Sequence, residues 1–198
     1  MKYLHFDTKP LTDLDNLQLV KWLIARGYIT SDKNAKILDL GSGLGRLYFS
    51  LKKLGYRNIQ AADKFPQFKE CLKADAGKKL PFKDNTFDVV ISRDLAEHIS
   101  EHIAFFGEQY RILKHGGKIV VMTPNVERLS MGEFYSTYTH VSPYTRDSLE
   151  RALKVHHFTK VQVIRLRAIP KLWKYTIRAF DFLFSTRKNN LMGFGVKE

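Results

Sequence analysis

The chain reads as an α/β protein with a doubly wound, mostly parallel sheet and helices on both faces. Three observations predict this. Short apolar runs alternate with stretches of helical period along most of the chain. The first clear run, ILDL, ends in Asp39 and breaks into a loop with glycines at 41, 43 and 45 before the next helical stretch. And 198 residues that are 44% apolar are enough for one domain with a substantial core.

Leu17, Val20, Trp22, Leu23 and Ile24 give Leu14–Arg26 a helical pattern. Lys36–Leu40 is the first strand. Leu44–Leu54 follows as a helix, with Gly55 placed to end it. Asn58–Ala62 is a strand ending at Asp63, Phe65–Glu70 a helical turn, and Cys71–Ala74 a short edge strand. KKLPFKDNT is loop, by its Pro and Asp-Asn signal. Phe87–Ser92 is strongly apolar and reads as a strand; Ile99–Leu113 is helical and is closed by His115-Gly116-Gly117. Lys118–Thr123 is a strand stopped by Pro124, Asp147–Val155 a helix, and Lys160–Leu166 a strand. Leu172–Phe184 is aromatic and helical, and Met192–Val196 reads as a last strand. In parallel sheets of this kind, ligands bind beyond the carboxyl ends of the strands, near the point where strand order reverses.

Cys71 is the only cysteine, so no intramolecular disulfide forms and nothing calls for an oxidising compartment. The start, MKYLHFDTKP, has no apolar core of a secretory signal, and no window has the roughly 18 apolar residues of a spanning helix. The expectation is a cytoplasmic protein. The formal charge of +13 is uneven: from Lys160 onward nine Lys/Arg face two acids, which accounts for +7 of it. Such a balance suits anionic lipid, an anionic substrate or nucleic acid.

Gly41, Gly43 and Gly45 supply a backbone without Cβ atoms that can pass close to a ligand. An acid 22 residues beyond Gly41, Asp63, ends the next strand, where a carboxylate can accept both hydroxyl protons of a ribose. Asp75 follows the third strand beside the same edge, placed to accept from an adenine amino group, with the Ala76 backbone beside the ring.

KILDLGSGLGRL, AADKF, KADAGKKLPFKDNTFDVVISRDLAEHI and RILKHGGKIVVMTPN, taken together and in order, resemble a class I S-adenosylmethionine-dependent methyltransferase of the small-molecule type. The resemblance covers residues 36 to about 160. It implies a Rossmann-like fold of seven strands with the last antiparallel, in one domain over 1–198 with an N-terminal helical segment over 1–30. It implies S-adenosyl-L-methionine as cofactor. Gly41, Ser42, Gly43 and Gly45, with Asp39, would wrap the methionine end. Asp63 and Lys64 would serve the ribose, Asp75 and Ala76 the adenine, and Ser92 and Arg93 the methionine side. It also accounts for a loop one residue shorter than the dinucleotide fingerprint. That fingerprint seats a pyrophosphate on a helix N-terminus, whereas this cofactor brings a carboxylate and an ammonium.

The acceptor is less legible. Methyl transfer to a hydroxyl needs alignment and removal of a proton. In SRDLAEHI, Asp94, Glu97 and His98 stand at i, i+3 and i+4, one face of a helix start, and His140 follows the fifth strand. His98 and His140 are the candidate proton acceptors. Some O-methyltransferases of vicinal hydroxyls, including quinone-precursor and RNA-terminal ribose enzymes, resemble this acid-x-x-Glu-His pattern with a later His and hold a divalent metal on it. The first position here is Asp, where Glu is common. The alternative is that Asp94 and Glu97 simply favour a helix N-terminus. SRDL is not the Asn/Asp-Pro-Pro-aromatic motif of amine methylation, which favours oxygen or carbon acceptors. Residues 167–191 set Trp173, Ile177, Phe180 and Phe184 against Lys171, Lys174 and Arg178. A helix packed on the sheet, an interfacial helix over 171–184 on an anionic membrane, and a lid at the active-site edge all fit that composition. The leading expectation is methylation of a hydroxyl on a small or lipid-linked acceptor, a sugar among them. An RNA ribose methyltransferase or a non-catalytic cofactor-binding module are the alternatives, nucleic acid being disfavoured by the lack of an RNA-binding appendage.

Overall fold

A computed structural model describes residues 13–166 and 190–198. Its elements run α1 (Asp13–Ala25), β1 (Lys36–Leu40), α2 (Arg46–Lys53), β2 (Asn58–Asp63), β3 (Cys71–Lys73), β4 (Phe87–Arg93), a 3-10 turn (Ala96–His98), α3 (His102–Ile112), β5 (Leu113–Pro124), α4 (Met131–Tyr135), α5 (Arg146–Val155), β6 (Phe158–Leu166) and β7 (Asn190–Lys197). The seven strands form one sheet in the order β3-β2-β1-β4-β5-β7-β6. β3, β2, β1, β4 and β5 pair in parallel, while β7 lies antiparallel between β5 and β6. Strand order reverses between β1 and β4, so a crevice opens at their carboxyl ends.

Successive strand residues face opposite layers. Leu38, Val90 and Val121 pack with Phe105, Phe106, Leu149 and Leu153 beneath α3 and α5. Ile37, Val89, Ile91 and Val120 pack with Leu19, Leu23, Leu47 and Leu51 beneath α1 and α2. The central strands are therefore buried on both sides, as the apolar runs require.

Helix α2 is closed at both ends by features visible in the sequence. Gly45 caps its start at φ 75° and has no side chain to offer, so the Asp39 carboxylate accepts the Tyr48 N–H at 3.0 Å instead. At its other end Gly55, at φ 87°, donates to the Lys52 carbonyl, and Tyr56 donates to that of Leu51.

Two expectations are corrected. Phe65–Glu70 is not a helical turn but a series of bends and a turn. The Asp63 carboxylate takes the Phe65 N–H at 2.8 Å, which folds the chain back locally before Pro66. The helix expected from Ile99 begins only at His102, and Asp94 sits outside any helix at φ 52°. The physical reason lies in the carbonyls. That of Glu97 accepts the Val141 and Ser142 N–H groups, and that of Ile99 accepts the Ser142 hydroxyl. Both are diverted from helical partners, so Asp94, Glu97 and His98 do not share a helix face. The aromatic helix expected over 172–184 and the chain before Asp13 lie outside the described residues.

Candidate active site

A cleft of about 1470 Å³ opens at the carboxyl ends of β1, β2 and β4. Gly41, Gly43, Asp63, Lys64, Asp75, Ala76 and His98 line it, as do Leu95, Asp94 and Thr139. Asp39, Ser42, Gly45, Ser92, Arg93 and His140 are not on its wall.

The glycine loop is shaped by contacts on one side and by open space on the other. Gly45 packs beneath aromatics: a Cβ there would come within 2.7 Å of the Phe68 ring and 2.8 Å of the Phe49 ring. At Gly43, φ 50°, a Cβ would meet nothing within 4 Å, so this residue faces the cleft with bare backbone. Asp63 ties the loop down. One carboxylate oxygen accepts the Gly43 N–H at 2.9 Å while the other takes Phe65. Each oxygen keeps a further lone pair for a ligand hydroxyl. Ser42 turns away, its Oγ 3.1 Å from the Cys71 Sγ.

On the far wall the Lys64 ammonium pairs with the Asp75 carboxylate at 2.9 Å, and Gly77 N–H donates to the other oxygen at 3.1 Å. Burial opposes ionisation of Asp75, but the Lys64 and Gly77 bonds outweigh it and hold the carboxyl below the usual range. At the base of the cleft, Asp39 is buried and its carboxyl is pushed up to about 7, chiefly by burial and against the pull of Arg93. Arg93 in turn donates to the Asn16 side chain on α1. Ser92 is fully buried, and among the described residues its hydroxyl finds no hydrogen-bond partner.

The end of the cleft near His98 is built from two loops. His98, in the 3-10 turn after β4, bonds through Nδ1 to the Thr139 carbonyl at 3.1 Å. His140, in the loop after α4, bonds through Nδ1 to the Phe134 carbonyl at 2.7 Å. Carbonyls only accept, so in both neutral rings Nδ1 carries the proton and Nε2 the lone pair. Burial lowers the His98 pKa, opposed by the Thr139 bond and the Asp94 charge. The rings meet edge to face with centroids 4.8 Å apart. The buried Glu97 carboxylate accepts the Thr123 hydroxyl at 2.9 Å. Glu97, His98 and His140 each offer a ligand atom, all within 4.8 Å of one another. Two neutral imidazoles and a carboxylate are a donor set that suits a divalent transition ion. Asp94 is not in that set; Arg93 is 3.7 Å from it and Asn190 3.4 Å. Thr139 and Leu95 line the cleft without having been expected there. The fold brings Thr139 to it through the bond from His98.

A family model described as a methyltransferase domain matches residues 16–163. An uncharacterised protein of Methanocaldococcus jannaschii is 31% identical over 112 residues, 54% of this chain and 48% of its own. A ubiquinone biosynthesis O-methyltransferase of Pelagibacter ubique is 33% identical over 47% of this chain and 43% of its own. The chain thus spans about half the length, or less, of these curated relatives. Among solved structures, an S-adenosylmethionine-dependent methyltransferase of Archaeoglobus fulgidus superposes with a TM-score of 0.69 at 22% identity, covering 91% of this chain and 94% of that one. A phosphoethanolamine N-methyltransferase of Haemonchus contortus, solved with S-adenosylhomocysteine, gives 0.65 at 19% identity, covering 96% of this chain and 59% of that one. With the family match over most of its length, the chain belongs to the methyltransferase-domain family, and it shares the fold of these solved enzymes.

Proposed function

We propose that the cleft transfers a methyl group to a hydroxyl of a small acceptor, lipid-linked or sugar acceptors included, with His98 taking the hydroxyl proton. The observation that supports this most is the place of His98. It lines the same cleft as Gly43, Asp63 and Asp75, and its Nδ1 is already committed to the Thr139 carbonyl. Nε2 is therefore the free base of the ring.

The chain's own residues divide the work. Asp63, with Lys64 beside it, holds the ribose hydroxyls. Asp75 and the Ala76 backbone receive the adenine, Asp75 exchanging its Lys64 partner for the amino group. Gly41, Ser42, Gly43 and Gly45 present backbone to the methionine end, with Asp39, Ser92 and Arg93 beneath. When bound, S-adenosylmethionine supplies a sulfonium methyl that needs no further activation. The protein contributes alignment and proton removal. His98 Nε2 would take the hydroxyl proton as the acceptor oxygen receives the methyl. His140, set edge to face against His98, fixes its ring.

With a catechol as probe acceptor, His98→Asn is expected to lower kcat by about 10²- to 10⁴-fold, the usual worth of a positioned base, and to leave cofactor affinity unchanged. Full activity in the variant would remove His98 from the chemistry.

The donor set of Glu97, His98 and His140 favours a second reading, in which these three hold a divalent cation and His98 is a ligand rather than a base. Such an ion would lower the pKa of an acceptor hydroxyl and orient it. Equilibrium dialysis against Mn²⁺ or Zn²⁺ decides it: the native protein should retain one ion and Glu97→Ala none. No retained ion, with activity indifferent to EDTA, discards this reading.

A further inference from the structure

A chain with a net charge of +13 would be expected to line its cleft with cations. Lysines do line it, but unevenly. Lys64, Lys73 and Lys78 all come from the β2–β3 side, beside Asp63 and Asp75. Around His98 the wall carries Asp94, Ser100 and Glu101, and among the described residues no lysine or arginine stands on that stretch. The buried Glu97 belongs to the same 3-10 turn as His98. The two walls approach at Gly77, where a Cβ would come within 2.9 Å of the Glu101 carboxylate. The end of the cleft near His98 is therefore acidic in a basic protein.

Among the described carboxylates of the wall, Asp94 has the most unused bonding capacity. Asp63 accepts two N–H groups at 2.8 and 2.9 Å. Asp75 accepts from the Lys64 ammonium at 2.9 Å and the Gly77 N–H at 3.1 Å, and Glu101 from the Ser100 hydroxyl at 2.8 Å. The neighbours of the Asp94 carboxylate are Asn190 Nδ2 at 3.4 Å and Arg93 Nε at 3.7 Å, at and past the limit of a hydrogen bond. Its side chain is 49% exposed. The main chain there is nevertheless fixed, because the Asp94 N–H donates to the Met122 carbonyl at 2.9 Å. Met122 lies on β5 and Asn190 on β7, whereas the glycine loop follows β1 on the other side of β4. Asp94 thus stands on the side of β4 away from the glycine loop. A carboxylate so held accepts a charge-assisted bond from a ligand cation and repels an anion.

We propose that Asp94 selects acceptors that carry an ammonium group beside the hydroxyl to be methylated, and that this end of the cleft turns anionic acceptors away. This rests on the reading of His98 as the base that receives the hydroxyl proton, and it runs against the sign of the chain's net charge.

Three phenols of similar shape test it: tyramine, para-ethylphenol and para-hydroxyphenylpropanoate, which are cationic, neutral and anionic at neutral pH. Calorimetry on the full chain saturated with S-adenosylhomocysteine reads their binding, with EDTA present so that no ion on Glu97, His98 and His140 contributes. Tyramine should bind about tenfold more tightly than para-ethylphenol, the worth of one hydrogen bond to a charged group, and the propanoate should bind most weakly. In Asp94→Asn the ratio of tyramine to para-ethylphenol affinity should fall to near one. Asn tolerates the φ of 52° at this position, and native affinity for S-adenosylhomocysteine in the variant would show a folded site. Weakened S-adenosylhomocysteine binding in Asp94→Asn would assign the carboxylate to the cofactor and overturn the proposal. So would equal binding of tyramine and para-ethylphenol by the native protein, no binding of tyramine, tightest binding of the propanoate, or an undiminished ratio in the variant. Methyl transfer separates selection from the chemistry it rests on. Tyramine bound in preference but not methylated leaves selection standing and removes the hydroxyl chemistry. Methylation of all three with equal kcat/KM removes selection alone.

Discussion

Asp63→Ala is expected to weaken binding of S-adenosylhomocysteine by roughly 100-fold or more. The carboxylate does two jobs that the structure joins. It accepts the Gly43 and Phe65 N–H groups, at 2.9 and 2.8 Å, and its remaining lone pairs face the cleft. Truncation strips the ribose of a charged acceptor, worth about 1.5–3 kcal/mol per hydrogen bond, and leaves two backbone donors without their partner. The loop whose bare backbone faces the cleft at Gly43 then loses its anchor as the ligand loses its contact. Asp63→Asn keeps an acceptor for one of the two N–H groups and should fall between. Calorimetry measures both, with circular dichroism to confirm the fold. Native affinity in Asp63→Ala would refute the assignment of this cleft to the cofactor.

A pH-dependent stability should follow from Asp39. Its carboxyl is raised from 3.8 to about 7 in the folded protein, burial being the main cause. A raised acid favours folding in its protonated form. Its contribution is fully present below the unfolded value, near 4, and is lost as pH rises through about 7. The total is on the order of 4 kcal/mol, from about three pH units at 1.36 kcal/mol each. Asp39→Asn keeps an oxygen for the Tyr48 N–H and cannot ionise. Denaturant titrations should show native and variant stabilities converging at about pH 4 and below. At pH 8 the variant should be the more stable, its curve having lost the downward slope between. Parallel curves across that range would show that Asp39 is not buried as described.

How much of this was legible in the chain depends on what determines each part. β1 and β2 were, because ILDL and the run ending at Asp63 are apolar, short and bounded by Gly, Asp or Pro signals that act locally. The cleft wall at Gly41, Gly43, Asp63 and Asp75 was legible for the same reason, since each residue sits just past a strand end. The acceptor side was not. Helical spacing put Asp94, Glu97 and His98 on one face, but the carbonyls of Glu97 and Ile99 are claimed by residues more than forty positions away. No local pattern carries that. Ser42 reads like a cleft residue until β3 brings Cys71 beneath it. Asp39 reads like a ligand contact, yet its carboxylate serves the helix whose capping residue, Gly45, has no side chain.

The hold of the Glu97 carbonyl on the amides of Val141 and Ser142 has a consequence for how such a protein can change. That clasp is main chain to main chain, indifferent to which side chains ride on either loop. Substitution at 97, 98 or 140 can therefore alter the chemistry offered to an acceptor while the two loops keep their mutual position. The other half of the cleft is different: there Asp39 and Asp63 hold the glycine loop and the start of α2 through their side chains, and cannot be exchanged freely. Lineages descending from a chain like this one should diversify at the acceptor end first. A laboratory search for new acceptors should randomise those three positions and leave the aspartates alone.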